Sequence, residues 1–244
     1  DWHHPDFPHG SPGGSSLKPH PNLDGYEQYL RRQVRELITQ YGPLLVLWFD
    51  VAQDFDAPRG QGVVDYVRSL QPDIIINNRC AVPGDYATPE QRIGTFQNDR
   101  PWESCVTLTE CADGGGWSYR PDGRTRTFDE CLRMLVSCAT GDGNLLLNVG
   151  PLPTGEIAAD QQEVLRQMGR WLGKYGASIY ATRGGPLRNG DWGGATFRDK
   201  TIYLHIQKWS GDRLRLPPLK AKVLSAVTLT GGSPTIDAAA DGMT

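Results

Sequence analysis

Polar residues follow the ends of two predicted buried strands, and their types are suited to acid–base chemistry. The apolar run Leu44–Phe49 ends at Asp50, and a second apolar run is followed by Asn77-Asn78-Arg79. Apolar runs of about four to eight residues without alternation are typical of strands buried on both faces of a parallel sheet. Catalytic side chains of such sheets collect at the carboxyl ends of the strands. We therefore predict that Asp50 lies where a catalytic carboxylate would lie, although a turn residue or helix N-cap also suits this position.

Two further carboxylates belong to the same prediction. Glu90 lies on the loop after the second strand, and Glu103 comes just before a third predicted strand. A retaining glycosidase needs one carboxylate to attack the anomeric carbon and another, about 5–5.5 Å away, to act as acid and then base. Arg79 would favour the ionised form of the nucleophile, because a positive neighbour stabilises the carboxylate. A structural ion pair gives the same residue pattern, so both interpretations stay open at this point.

Composition excludes several classes of function. The 244 residues are 38% hydrophobic, which is enough for one large domain or two small ones. The net charge of -3 gives no electrostatic reason to expect a nucleic acid or an anionic membrane as partner. No run reaches the roughly 18 apolar residues of a membrane span. The five cysteines form no CxxC pair and no zinc-type spacing with histidine, so no metal site is expected. No organic cofactor is implied either, because two carboxylates are sufficient for glycosidase chemistry.

The order of the predicted elements favours half of a barrel. Helical spacing predicts helices over 26–41, with Asp24 as N-cap, and over 62–70, 128–140 and 160–175. Strands are predicted over 44–49, 74–76, 104–109 and 144–149. This alternation indicates parallel βα units. We predict an α/β fold in which residues 1–185 form half of a TIM-like (β/α)8 barrel.

The pattern changes after residue 185. Short strands are predicted over 195–197, 201–207 and 222–229, separated by Gly, Asp and Pro. We interpret residues 186–244 as the start of an antiparallel β-sandwich domain.

Five segments occur in an order that resembles a known family. They are Leu47–Asp50 (LWFD), Gln71–Arg79 (QPDIIINNR), Gly84–Glu90 (GDYATPE), Arg100–Glu103 (RPWE) and Gly143–Pro151 (GNLLLNVGP). Together they resemble the motif series of glycoside hydrolase family 29, the α-L-fucosidases. The opening DWHHP is similar to the segment after the fourth barrel strand of that family. The resemblance therefore extends from residue 1 to about residue 185, and it implies that these residues are the C-terminal half of the barrel.

The resemblance implies a retaining hydrolase that releases terminal α-L-fucose from fucosylated oligosaccharides or glycoconjugates. Asp50 occupies the nucleophile position, and Arg79 matches the arginine that contacts nucleophile and substrate. Trp48 would pack beside the sugar, and Trp117 would lie against its apolar face and methyl group. Core packing is the alternative interpretation for both tryptophans.

The resemblance leaves two candidates for the acid/base. Glu90 is preferred, because it follows Arg79 by about a dozen residues, as in well-matched relatives. Glu103 is the alternative, and it could equally orient other residues. Val51-Ala52-Gln53 departs from the family pattern after Asp50, which more often has a glycine, so we expect a loop of different shape there.

The family's first strands, with a paired-histidine motif and a tyrosine that bind fucose, would precede Asp1. His3 and His4 are not that pair. Half a barrel exposes an apolar layer and a sheet edge, so we expect the isolated chain to be unstable or inactive and an oligomer to be possible. A non-catalytic carbohydrate-binding remnant and a retaining glycosidase of another specificity are the alternatives. Secretion or periplasmic export is expected for a glycan-degrading enzyme, with any signal peptide further upstream.

Overall fold

The computed structural model describes residues 3–8, 21–50, 55–209, 211–219, 222–232, 235, 238–239 and 242–243. The chain divides into two compact units, Asp1–Thr88 and Pro89–Thr244. None of the helices in the described part of the chain is both long and apolar enough to cross a membrane.

The first unit pairs two helices with two short parallel strands. Its elements are α1 (Leu23–Gln40), β1 (Val46–Leu47), α2 (Ala57–Leu70) and β2 (Ile75–Ile76). β1 and β2 run parallel, with Val46 opposite Ile75 and Leu47 opposite Ile76. The core of the unit combines residues of both helices with the inward side chains of the strands, among them Phe7, Tyr26, Val34, Val63, Val67, Leu47 and Ile76.

Side-chain caps set the start of both helices. The Asn22 side chain accepts a hydrogen bond from the Gly25 backbone N–H, so Asn22 is the N-cap of α1 and the prediction of Asp24 was wrong. Asp24 lies in the first turn and forms an ion pair with Arg59 of α2 instead. Asp56 caps α2, which therefore begins five residues before the predicted start at residue 62.

The prediction of a fully buried strand over residues 44–49 was wrong in length and in burial. Only Val46–Leu47 pair as a strand, and Leu45 is 77% exposed. Val46 and its partner Ile75 are also exposed, whereas Leu47 and Phe49 are buried. Residues of α1 and α2 cover one face of the strand pair, and the opposite face stays accessible in the described structure.

The second unit has a longer parallel pair. β3 (Glu103–Thr107) runs parallel to β6 (Asn144–Asn148) over five residues, and β4 (Thr109–Glu110) pairs with β5 (Arg124–Thr125) in antiparallel. Two helices, α3 (Phe128–Thr140) and α4 (Ala159–Tyr175), pack on these strands around Leu108, Cys131, Val164 and Met168. A capping box between Thr127 and Glu130 begins α3 where the sequence predicted it. A 3₁₀ turn, Gly176–Ser178, follows α4.

An antiparallel module follows in the same unit. β7 (Arg183–Gly184), β8 (Gly193–Arg198) and β9 (Thr201–Ile206) form a sheet in that order, and β10 (Ala238–Ala239) pairs with β11 (Gly242–Met243). The predicted strand over 222–229 was wrong, because its described backbone pairs with no strand and Leu224 is 87% exposed. Apolar residues without a partner strand do not make a stable strand. The α/β alternation is confirmed, and the sheets within the described ranges are small and unclosed.

Candidate active site

Asp50 lies just beyond the carboxyl end of β1, with its side chain in solvent. The side chain is 59% exposed, and its Oδ1 lies 3.3 Å from Nη1 of Arg79. Because Asp56 already caps α2, Asp50 does not serve as that helix's N-cap. The predicted loop change at Val51-Ala52-Gln53 falls outside the described residues. An accessible carboxylate beside a guanidinium at a strand end is suited to attack an electrophile.

Arg79 is held in place from several sides. Its Nε donates to Thr88 Oγ1 over 2.9 Å, and its Nη2 donates to the Thr88 carbonyl over 3.2 Å. The Thr88 hydroxyl in turn donates to Asn78 Oδ1 over 2.8 Å. The sequence did not indicate Thr88, because a contact across nine residues of irregular chain leaves no periodic signal. This anchoring presents the remaining guanidinium N–H groups towards Asp50.

Trp48 supports the same arginine. The Arg79 guanidinium lies 4.5 Å from the centroid of the Trp48 ring, a cation–π distance. The indole is half-buried, and its N–H has no hydrogen-bond acceptor within the described ranges. One face of the ring is therefore occupied by Arg79, so a sugar could meet only the other face or the edge. The role of Trp48 beside a sugar stays a prediction.

Glu90 lies in the second unit on a segment that pairs with β3. Its backbone bridges to Cys105 in parallel, and its side chain is exposed. The next residue, Gln91, donates through its side chain to Thr107 Oγ1 over 3.1 Å and to the Gly114 carbonyl over 3.3 Å. The segment after Glu90 is thus tied to the carboxyl end of β3.

Glu103 lies at the amino end of β3, as its place just before the predicted strand implied. It is the first residue of the strand, paired with Asn144, four positions before Thr107. The convergence of Glu103 with the polar side chains that follow the strands stays a prediction. An orienting or structural role suits this position better than proton transfer to a substrate.

Trp117 lies on a glycine-rich loop near the carboxyl end of β6. Gly116 adopts a positive φ of 107°, and a Cβ there would collide with the Thr109 carbonyl oxygen. Asn148, the last residue of β6, donates to the Trp117 carbonyl over 3.0 Å. The indole is 37% exposed, so core packing does not explain it. Its role against a sugar stays a prediction.

Ion pairs surround this loop without supplying a general acid. Arg120 contacts Asp113 and Asp122, and its hydrogen bonds hold the pKa of both carboxyls below the usual range. Arg124 similarly lowers the pKa of Glu130 to about 2, with help from the Thr127 backbone N–H. A general acid needs a raised carboxyl pKa. These carboxyl groups therefore stabilise the local structure instead of acting as a general acid. In the described residues, no group of three or more His, Cys, Asp or Glu side chains is arranged to hold a metal ion.

Comparison with known proteins identifies the family. Residues 1–177 match the family model described as Alpha-L-fucosidase. Plasma alpha-L-fucosidase of Homo sapiens is 28% identical over 198 residues, 72% of this chain and 41% of its own length. Alpha-L-fucosidase isoenzyme 1 from Paenibacillus thiaminolyticus is 31% identical with a TM-score of 0.82, covering 100% of this chain and 65% of that one.

A third relative gives the same result. The Thermotoga maritima alpha-fucosidase, solved in complex with fucose, is 26% identical with a TM-score of 0.69, covering 90% of this chain and 51% of its own. The chain thus spans between 41% and 65% of the length of these three relatives. The resemblance predicted from the five motifs is confirmed, because the family model covers well over half of the sequence. The chain belongs to the α-L-fucosidase family, glycoside hydrolase family 29.

Proposed function

We propose that this chain carries catalytic residues of a retaining α-L-fucosidase that releases terminal α-L-fucose from oligosaccharides or glycoconjugates. The observation that carries the proposal is the exposed Asp50 carboxylate facing Arg79, which Thr88 and Trp48 hold in place. Family membership supplies the sugar class. The fucose bound in the Thermotoga maritima relative supports the same substrate.

The proposed reaction is a double displacement. Asp50 attacks the anomeric carbon while the acid/base protonates the leaving oxygen, so the glycosidic bond breaks and a fucosyl ester forms. The acid/base then removes a proton from water, which attacks the same carbon and frees Asp50. Arg79 pairs with the Asp50 carboxylate before the attack and again after water has freed it, because a fixed positive charge interacts favourably with the carboxylate.

Glu90 is our proposed acid/base. Its side chain is exposed, and the residue after it is tied to the carboxyl end of β3, whereas Glu103 starts that strand. We expect Glu90→Ala to slow hydrolysis of glycans more than that of aryl fucosides with good leaving groups, because only the former need protonation. Azide should restore turnover by attacking the fucosyl ester without base assistance. The matched control is Glu103→Ala. If azide restored turnover in Glu103→Ala but not in Glu90→Ala, Glu103 would be the acid/base and Glu90 would not.

The main test of the function is hydrolysis of 4-nitrophenyl α-L-fucopyranoside. It would use the 244-residue chain and a chimaera extended upstream with residues of the Paenibacillus relative. We expect turnover in the chimaera only, and Asp50→Ala should abolish it. Folded protein in both forms that binds fucose without turnover would support the carbohydrate-binding alternative and overturn the proposal. Faster hydrolysis of galactosides than of fucosides would contradict a fucose-shaped site. Such a site would bury the C6 hydroxyl of galactose without a partner, which costs about 1–3 kcal/mol.

We also propose the larger architecture that the family implies. Residues 1–185 would contribute parallel βα units to a (β/α)8 barrel, and residues 186–244 would begin a β-sandwich. The parallel pairing of β1 with β2 and of β3 with β6 supports the first part, and the antiparallel β7–β9 sheet supports the second. Secretion or periplasmic export suits a glycan substrate, and the name of the human relative places that protein in plasma.

A further inference from the structure

β1 is extended at both ends by carboxamide side chains instead of backbone pairing. Before the strand, Leu44 N–H donates to Gln71 Oε1 over 3.0 Å, and Gln71 Nε2 donates to the Leu44 carbonyl over 2.5 Å. After it, Phe49 N–H donates to Asn77 Oδ1 over 2.8 Å, and Asn77 Nδ2 donates to the Phe49 carbonyl over 2.8 Å. Each amide thus gives one hydrogen bond and accepts one, as a neighbouring strand would.

The bonds at Phe49 restrain the start of the next residue. The Phe49 carbonyl belongs to the peptide group whose N–H is that of Asp50. Asn77 therefore restrains the peptide groups before and after the Phe49 Cα, and this fixes the position of the Asp50 Cα. Asn77 is fully buried, so water does not compete for these bonds.

Asn77 is itself firmly held. Asp85 clamps the preceding residue, accepting from Ile76 N–H over 2.7 Å and donating to the Ile76 carbonyl over 2.7 Å. Asn77 also forms a parallel bridge with Tyr86. Asn77, whose side chain binds the Phe49 backbone, thus lies in a segment that Asp85 and Tyr86 hold at the end of β2.

The same segment also positions the side chain of Arg79. Asn78 accepts from the Thr88 hydroxyl that anchors Arg79, two positions after Asn77. The consecutive residues 77–79 therefore reach both members of the Asp50–Arg79 pair. A shift of this segment would change the distance between carboxylate and guanidinium.

We propose that Asn77 is a positioning residue for the Asp50 nucleophile, acting through the Phe49 backbone without touching the sugar. This inference rests on the proposed function. Misplacement of a reacting group by about 1 Å can slow a reaction about 10²-fold. The carboxamide of Asn77 thus contributes to the rate as well as to the fold.

Gln71 provides a matched control, because Gln71→Ala breaks the same kind of clamp at the far end of β1. Asn77→Ala and Gln71→Ala would be compared in the full protein for kcat, KM and thermal unfolding, with amide hydrogen exchange of the segment containing Phe49. We expect Asn77→Ala to lower kcat about 10²-fold with little change in KM. Gln71→Ala should lower the unfolding temperature while its folded fraction keeps the wild-type kcat. Exchange at Phe49 should rise in Asn77→Ala alone.

Asn77→Asp keeps the test valid if Asn77→Ala fails to fold. The aspartate retains an acceptor for Phe49 N–H, and when ionised it has no donor for the Phe49 carbonyl. We expect a loss of kcat that eases at low pH, where the protonated acid can donate again. Equal kcat per folded molecule in the Asn77 and Gln71 variants, or a fully active Asn77→Asp at neutral pH, would overturn the positioning role. A folded wild-type protein without turnover would instead overturn the proposed function, and the positioning role with it.

Discussion

The two parallel strand pairs of this chain position their polar ends by different means. β1 and β2 pair over two residues. Beyond the pair, the Asn77 side chain binds the Phe49 backbone, and the Thr88 side chain accepts a hydrogen bond from the Arg79 side chain. β3 and β6 pair over five residues through their backbones. A long backbone ladder tolerates the loss of one side chain, whereas a clamp made by a single side chain does not. The end of β1, which carries Asp50, should therefore be the more sensitive to single substitutions.

The polar groups near β3 and β6 are of a different kind. Arg124 contacts Glu110 and Glu130, and these side chains are between 40% and 50% exposed. Exposed ion pairs contribute little to stability, because water and salt screen the two charges. These ion pairs are thus open to solvent, whereas Asn77 and Thr88, which position Phe49 and Arg79, are buried.

The largest effect is expected from Arg79→Lys. A lysine keeps the positive charge but cannot contact Thr88 and Asp50 at once or stack on Trp48 in the same way. We expect kcat/KM on an aryl fucoside to fall about 10²-fold with a small change in unfolding temperature. Arg124→Lys is the control in the second unit. An equal loss of activity in that variant would show that the two strand pairs do not differ in their sensitivity to single substitutions.

Two helix glycines should respond in opposite directions to alanine. A Cβ at Gly60 of α2 would collide with the Cys80 carbonyl oxygen, whereas a Cβ at Gly169 of α4 meets no atom within 4 Å. We expect Gly60→Ala to destabilise the protein by about 1–3 kcal/mol, because the backbone beyond β2 must shift. Gly169→Ala should stabilise it by about 0.5–1 kcal/mol through helix propensity. Chemical denaturation measures both, and stabilisation by Gly60→Ala would show that the contact is loose.

Thr88→Val should separate activity from stability. It keeps the shape of the side chain but removes the hydroxyl between Arg79 and Asn78, so we expect kcat to fall about tenfold. Thr140→Val is the counterpart in the second unit, where the hydroxyl donates to the Val136 carbonyl over 2.8 Å. It should cost about 1 kcal/mol of stability with kcat unchanged. The reverse assignment of effects would refute our division of roles.

The smallest effect concerns Asp142, which ties the end of α3 to β7. Burial opposes ionisation of this carboxyl, but donors from Arg183 and the Gly184 N–H hold its pKa below the ordinary value. A lowered folded-state pKa adds stability above the unfolded pKa of about 3.9, and that stability is lost as the pH falls further. Asp142→Asn should cost about 1 kcal/mol at pH 7 and progressively less below about pH 4. A difference that stays constant from pH 7 to pH 3 would contradict the charge-based explanation.

Much of the second unit could be predicted from sequence, because its elements carry local signals. The boundaries predicted for α3 are those of the structure, since Thr127 and Glu130 form a recognisable capping box. The predicted strand 144–149 and the predicted helix 160–175 each differ from β6 and α4 by one residue at one end. For these three elements, periodicity together with the cap of α3 was sufficient.

The first unit and the site were less predictable. The extent of β1 depends on Gln71 and Asn77, whose contacts with Leu44 and Phe49 join residues 27 and 28 positions apart. Nothing in the periodicity of residues 44–49 discloses those partners. The polar strand ends did suggest Asp50 and Arg79, but the anchoring of Arg79 by Thr88 required the structure.

The most direct test of the account is to trap the nucleophile. 2-Deoxy-2-fluoro-α-L-fucosyl fluoride has a good leaving group, and its C2 fluorine slows hydrolysis of the resulting ester, so the fucosyl enzyme should accumulate. Peptide mapping by mass spectrometry should find the added mass on Asp50, and the Asp50→Ala protein should stay unlabelled. An active protein that carries the label on another residue would contradict Asp50 as nucleophile, and with it the role of the strand end that holds it.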